Sequence, residues 1–137
     1  MTLRLSLRDG EKVVINGAVL RSLGRTDLCI DNKASILRGR EIMSPDEATS
    51  PAKQLYFHTM MAYLDPDGAV GHQADVVEAL KVVAQSLPME EARAACASFA
   101  RKAAAMDYYR ALGECRALIR LEDALRTEEG QLAPVAV

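Results

Sequence analysis

Asn16-Gly17 stands between the runs Lys12–Ile15 and Ala18–Arg21, and this arrangement restricts the fold more than any other feature of the chain. A tight two-residue hairpin of type I′ needs positive φ at both central residues, and Asn-Gly meets that need at least cost. The flanking runs are therefore read as antiparallel strands. Upstream, Leu3, Leu5 and Leu7 alternate with Arg4, Ser6 and Arg8. Period two marks a strand with one buried and one wet face. Asp9-Gly10 and Gly24-Arg25 are turn signals, residues 28–30 form a fourth strand, Asn32-Lys33 turns again, and residues 35–38 form a fifth. Five short strands imply a small antiparallel meander with a thin core and exposed edges. A second copy of the chain could close those edges, so a homodimer is expected.

From Ser44 the pattern changes. Ser44-Pro45-Asp46-Glu47 is a capping box with proline at the first helical position, and Ser50-Pro51 repeats the start signal. The residue before a proline is pushed out of the α region, which predicts one turn, a break and then a main helix over 52–64. Further helices are predicted over 72–86, from Glu90 onward, and over 107–126. Residues 103–106 hold no breaker, which leaves one bent rod or two helices open there. The fold class is α+β: a five-stranded antiparallel unit at 1–43, a bundle of three to four helices at 44–127, and a frayed, flexible tail at 128–137.

Composition narrows the function. No apolar run approaches the ~20 residues that span a bilayer. The N-terminus has no uninterrupted apolar core of a secretory signal, so a cytoplasmic protein without a membrane partner is expected. Cys29, Cys96 and Cys115 are far apart and show no CxxC spacing, and they read as buried reduced thiols. His58 and His72 lack carboxylates at ligand spacing, so no metal is expected. Glycine-rich phosphate loops and nucleophile motifs are absent, so no catalytic residue and no cofactor is assigned. Charge is uneven. Residues 1–43 carry eight Lys or Arg against five acids, a net +3, and the rest carries nine against fourteen, a net −5. A basic module joined to an acidic one suggests an anionic partner for the first.

The upstream DGE and ING-A-V, followed by ASILRGREIMSPDEATSPAKQLYF and LDPD, resemble the FlbT family of flagellin-synthesis regulators. That resemblance implies a bacterial protein that binds the 5′ untranslated region of flagellin mRNA, represses its translation or promotes its decay, and associates with the small flagellar protein FlaF. It implies an RNA partner and no DNA. The pattern LxLxLRxGExxxI and the later SILRGREI are also similar to the carbon storage regulator family of strand-swapped, five-stranded RNA-binding dimers. Carried over, Leu5, Ser6, Leu7 and Arg8 fall on that family's first binding edge, and Ile36, Leu37, Arg38 and Glu41 on or near the last. That family's main arginine aligns with Gly39, which Arg38 and Arg40 flank, and Leu7 stands where it has another arginine.

The RNA-binding residues expected on these grounds are Arg4, Ser6, Arg8, Arg38 and Arg40. Edge arginines can hold phosphates bidentately and stack on unpaired bases. Edge arginines also block aggregation of exposed strands, which is the competing explanation for them. The β unit lacks aromatics for a stacking platform; all four tyrosines fall in predicted helices. The rival function is a flagellar protein-interaction module or chaperone-like adaptor, acting through the helical half with indirect effects on mRNA.

Overall fold

Five strands precede four helices in the computed structural model, which describes residues 2–132. The strands are β1 (Leu3–Leu7), β2 (Lys12–Ile15), β3 (Ala18–Arg21), β4 (Thr26–Ile30) and β5 (Ile36–Arg38); the helices are α1 (Pro51–Leu64), α2 (Ala69–Ser86), α3 (Glu90–Ala104) and α4 (Tyr108–Leu132). The protein is α+β, as the sequence implies. Single 3-10 turns at Gly39–Glu41 and Pro45–Glu47 join the two halves, the second closed by the Ser44/Glu47 capping box.

The strands do not form a meander. β1 pairs with β4 in one antiparallel sheet, and a second sheet has the order β3-β2-β5. Only the β2–β3 hairpin joins strands adjacent in sequence. Its turn is type I′: Asn16 has φ 52° and Gly17 φ 84°, and Ile15 pairs directly with Ala18. Turn residues specify where the chain reverses, whereas burial decides which strands pair. β1 must bury Leu5 and Leu7, and it does so face to face with Val13, with Ile15, Leu28 and Ile36 around them. Pairing β1 edge to edge with β2 would leave that face open.

The second sheet is buried on both sides at β2. Val13 faces the β1–β4 sheet, while Val14 and its cross-strand neighbour Leu37 join the helical core with Ala52, Leu55 and Met60. α1 is the central helix and packs against α2 and α4; α3 packs against α4. Ser50 Oγ accepts from the Lys53 N–H at 3.3 Å, as a helix cap should. The buried Glu122 carboxylate of α4 accepts from the Ala52 N–H at 3.0 Å. A negative group there complements the positive end of the helix dipole.

Helices α3 and α4 are separate. Met106 takes φ 60°, the Met106 N–H donates to the Ala103 carbonyl at 2.9 Å, and the Asp107 N–H donates to the Lys102 carbonyl at 2.8 Å. These two bonds are a Schellman ending, built on methionine where glycine is usual. α4 continues to Leu132, past the expected end at 126. The remainder of the expected tail, residues 133–137, lies outside the described residues.

Three tyrosines fasten the β unit to the helices. Tyr56 Oη of α1 donates to the Glu41 carbonyl and Tyr109 Oη of α4 to Glu41 Oε2, both at 2.7 Å. The Ile36 N–H donates to Tyr63 Oη at 2.9 Å, and the Arg38 N–H to Glu41 Oε1 at 3.1 Å. The Tyr109 hydroxyl is pushed up to about 12, first by its hydrogen bond to Glu41. The outward-facing amides of β5 are thus closed by side chains.

Gly17 tests the hairpin. A Cβ there would meet the Leu64 carbonyl oxygen at 3.2 Å on a backbone of positive φ. Gly17→Val should lower stability by roughly 1–3 kcal/mol in chemical denaturation; an unchanged midpoint would contradict the turn geometry.

Candidate nucleic-acid interface

Alternation along β1 leaves Arg4 and Ser6 exposed on one face while Leu5 and Leu7 are buried beneath; Arg8 follows at once and is exposed too. Opposite them on β4, Arg4 pairs with Cys29 and Ser6 with Asp27. Ser6 Oγ donates to Asp27 Oδ1 at 2.7 Å, so this hydroxyl is already engaged. Neither Arg4 nor Arg8 forms an ion pair among the described residues.

Arg38 does not stand free on an outer edge. It shares a sheet face with Val13, which turns its side chain toward β1. There Nη2 donates to the Ser6 carbonyl at 2.8 Å and to Glu11 Oε2 at 3.0 Å. The first contact brings β5 beside β1, so the first and last strands are neighbours in space. Arg40 does not share a strand face with Arg38. β5 ends at Arg38, Gly39 turns the chain at φ 58°, and Arg40 stands exposed in the 3-10 turn. Arg38 therefore spends much of its guanidinium on joining strands, while Arg40 projects into solvent.

Arg25, which no sequence pattern marks as a site residue, joins this surface. Asp9 Oδ1 accepts from the Gly24 N–H at 2.8 Å and ties the β1–β2 turn to the β3–β4 turn. The tie places Arg25 beside Arg8, and the two line an open pocket of about 470 Å³ with Ser6, Leu7 and Asp9. The turn signal at Gly24-Arg25 was visible, but the contact between two turns fifteen residues apart was not. A pocket with two guanidinium groups suits a phosphate oxygen cluster. Asp9, Glu11 and Asp27 stand nearby, and each is held by a neighbouring donor.

Glu11 organises this end of the unit. Its Oε1 accepts from the Arg8 N–H at 3.0 Å while Oε2 holds Arg38. The Arg8 amide, then the Arg38 guanidinium, hold its carboxyl below the ordinary value of 4.5. A depressed folded-state value stabilises the fold above the unfolded value and loses that contribution as pH falls through the folded one. Glu47 and Glu114 are lowered likewise, by the Ser44 amide and by Lys102 respectively. Thermal stability should stay level from neutral pH to about 5 and drop below about 4.5, and Glu11→Gln should reduce that drop; an identical profile in the variant would remove Glu11 from this role.

Chemistry elsewhere is sparse. Among the described residues no group of three or more His, Cys, Asp or Glu is placed to hold a metal ion. His72 Nε2 meets Asp65 Oδ2 at 2.9 Å and His58 Nδ1 lies 3.9 Å from Asp75 Oδ2, so each histidine faces one aspartate. Against the expectation of buried thiols, Cys29 is exposed and Cys96 partly so; Cys115 is buried, and burial pushes its thiol up to about 12, the opposite of a reactive thiolate. No helix among the described residues is long and apolar enough to cross a membrane.

Comparison with known proteins decides the family. Residues 3–125 match the family model described as flagellar protein FlbT. The chain belongs to the FlbT family. A flagellum biosynthesis repressor protein FlbT from Caulobacter vibrioides (strain ATCC 19089 / CIP 103742 / CB 15) is 40% identical over 128 residues, covering 90% of this chain and 88% of the relative. A probable flagellum biosynthesis repressor protein FlbT from Caulobacter sp. (strain K31) is 39% identical over 124 residues, covering 90% and 95%. One of the same description from Agrobacterium fabrum is 45% identical over 67 residues, covering 49% of this chain and 45% of the relative. No solved structure matches.

Proposed function

We propose that this member of the FlbT family represses flagellum biosynthesis after transcription, by binding the 5′ untranslated region of flagellin mRNA through its β unit in the cytoplasm. Repression is what the FlbT relatives are named for. The observation that carries the RNA reading is the pair of exposed arginines, Arg8 and Arg25, lining one open pocket of the β unit, with Arg4 and Arg40 exposed elsewhere on it. Arg4 lies on the open face of β1, Arg8 follows the strand and shares a pocket with Arg25, and Arg40 stands beyond β5. Arg38 acts as a positioning residue, fixing β1 against β5 through Ser6 and Glu11. Single-stranded loops expose base edges and phosphates that such a surface can grip without a deep groove.

Binding of flagellin leader RNA by the purified protein, measured across salt concentrations, is the test. Each phosphate contact removed should lower the slope of log affinity against log salt by about 0.7 for a single strand. Arg4→Ala with Arg8→Ala, and separately Arg40→Ala, should weaken binding and flatten that slope. Arg120→Ala, on the exposed side of α4, should change little. Affinity and slope unchanged in the first variants, with circular dichroism intact, would overturn the assignment.

A second reading has its own observation. α2 and α3 diverge and leave an apolar groove of about 440 Å³ lined by Val77, Leu80, Phe99 and Met106. Such a groove suits an amphipathic helix of a flagellar protein such as FlaF. Under this reading partner binding would be insensitive to salt, lost in Leu80→Asp, and untouched by the arginine changes.

A further inference from the structure

The five-stranded unit has several strand edges, and all but one are guarded. On β5 the outward amides of Ile36 and Arg38 are bonded to Tyr63 Oη and Glu41 Oε1. β1 carries Arg4 and the Arg38 contact to the Ser6 carbonyl, and β4 carries Asp27. Charge, or a side chain closing the ladder, is how exposed edges avoid pairing. β3 carries one charge, Arg21 at its end, and no side chain among the described residues closes its outer amides. All four of its residues are exposed, Val19 at 65% and Leu20 at 44%, with Leu23 just beyond at 84%. It contains no proline and no acid.

Hairpin geometry fixes which groups face outward. In a two-residue hairpin the closing pair, here Ile15 and Ala18, exchanges hydrogen bonds, and bonded pairs then alternate along the ladder. Ala18 and Leu20 therefore point their N–H and C=O toward β2. Ser22 continues that parity, since its N–H donates to the Glu11 carbonyl at 2.9 Å and its carbonyl accepts from the Gly10 N–H at 2.8 Å. Val19 and Arg21 turn theirs to solvent, and no side chain among the described residues bonds to those amides.

We infer that the outer edge of β3 pairs antiparallel with the same edge of a second copy of this chain, about a two-fold axis at Leu20. A two-fold normal to the sheet keeps the helix-facing sides of both copies together, so directly opposed residue numbers must sum to an even number. Leu20 against Leu20 meets that condition and pairs Val19 with Arg21 twice. All four outward N–H groups and carbonyls of each pair are then used. Centring on Val19 instead would set Arg21 against Gly17, inside the hairpin turn, and lose those bonds. Charge agrees with the Leu20 register. Val19 lines an apolar groove that also holds Met43, Phe57 and Met61, with Asp65 at its rim. Arg21 of one copy, opposite Val19 of the other, lays its aliphatic stem over that groove and its guanidinium toward Asp65. The interface uses none of Arg4, Arg8, Arg25 or Arg40, so it stands independently of the RNA reading.

Sedimentation and cross-linking test it. The full chain should sediment as a dimer at tens of micromolar. Val19→Pro removes an outward N–H without touching the β2 ladder, which edge strands tolerate, and should yield a folded monomer. Leu20→Cys, made with Cys29→Ser, should form a disulfide-linked dimer in oxidised glutathione. A directly opposed non-bonded pair stands ~4.5 Å apart at Cα, within disulfide range. Val70→Cys in the same background, exposed on α2, should not cross-link. A monomeric wild-type protein would overturn the proposal, as would a dimer that survives Val19→Pro and gives no Leu20→Cys cross-link. Should Val19→Pro fail to fold, the cross-link decides alone.

Discussion

Val13 and Val14 are neighbours in the chain and both are buried, one on each face of the middle sheet. Adjacent residues in a strand point to opposite sides, so burying both forces a layer on each side. The β1–β4 sheet supplies one layer and α1 the other. Without that double burial, five short strands would have too little apolar area to hold together. The β unit is therefore completed by the helices, and its orientation on them is inherited from Val14 and Leu37. Arg4, on the outer face of β1, is displayed on a surface whose placement is set by contacts on the opposite face.

Electrostatics refine that placement over short distances. Glu41 receives donors from β5 and α4 on its carboxylate and from α1 on its carbonyl, so one residue registers three elements. Glu11 bridges the Arg8 amide and the Arg38 guanidinium elsewhere in the unit, and Asp9 holds the Gly24 amide of a separate turn. Acids in a basic unit look like a contradiction in a charge count. Here they are the struts that hold arginines and turns in position, and they leave a subset of guanidinium groups open to solvent.

What the sequence revealed divides along the range of the interaction. The Asn16-Gly17 turn, the Ser44 capping box and the Ser50-Pro51 helix start were legible because each is decided within four residues. The strand order was not, since the pairing of β1 with β4 and of β2 with β5 is settled by burial across twenty or more residues. The break at Met106 left no trace because methionine carries no left-handed preference; its place is dictated by the docking of α3 on α4. Arg38 is expected from the sequence among the RNA-binding arginines, and its inward face follows only from pairing opposite Val13. Arg25 is brought beside Arg8 by a bond between two turns, Asp9 to Gly24, that no periodicity announces.

Glu122 has a consequence for the order in which the molecule is made. The first turn of α1 emerges from the ribosome with its Ala52 amide unanswered, and the carboxylate that answers it is encoded seventy residues later. Until α4 has been synthesised and docked, the central helix lacks its second cap. The β unit, which leans on α1 through Val14 and Leu37, inherits the delay. A nascent chain would thus expose its strand edges for most of its own translation, and the arginine surface would reach its final form only as the last helix is laid down.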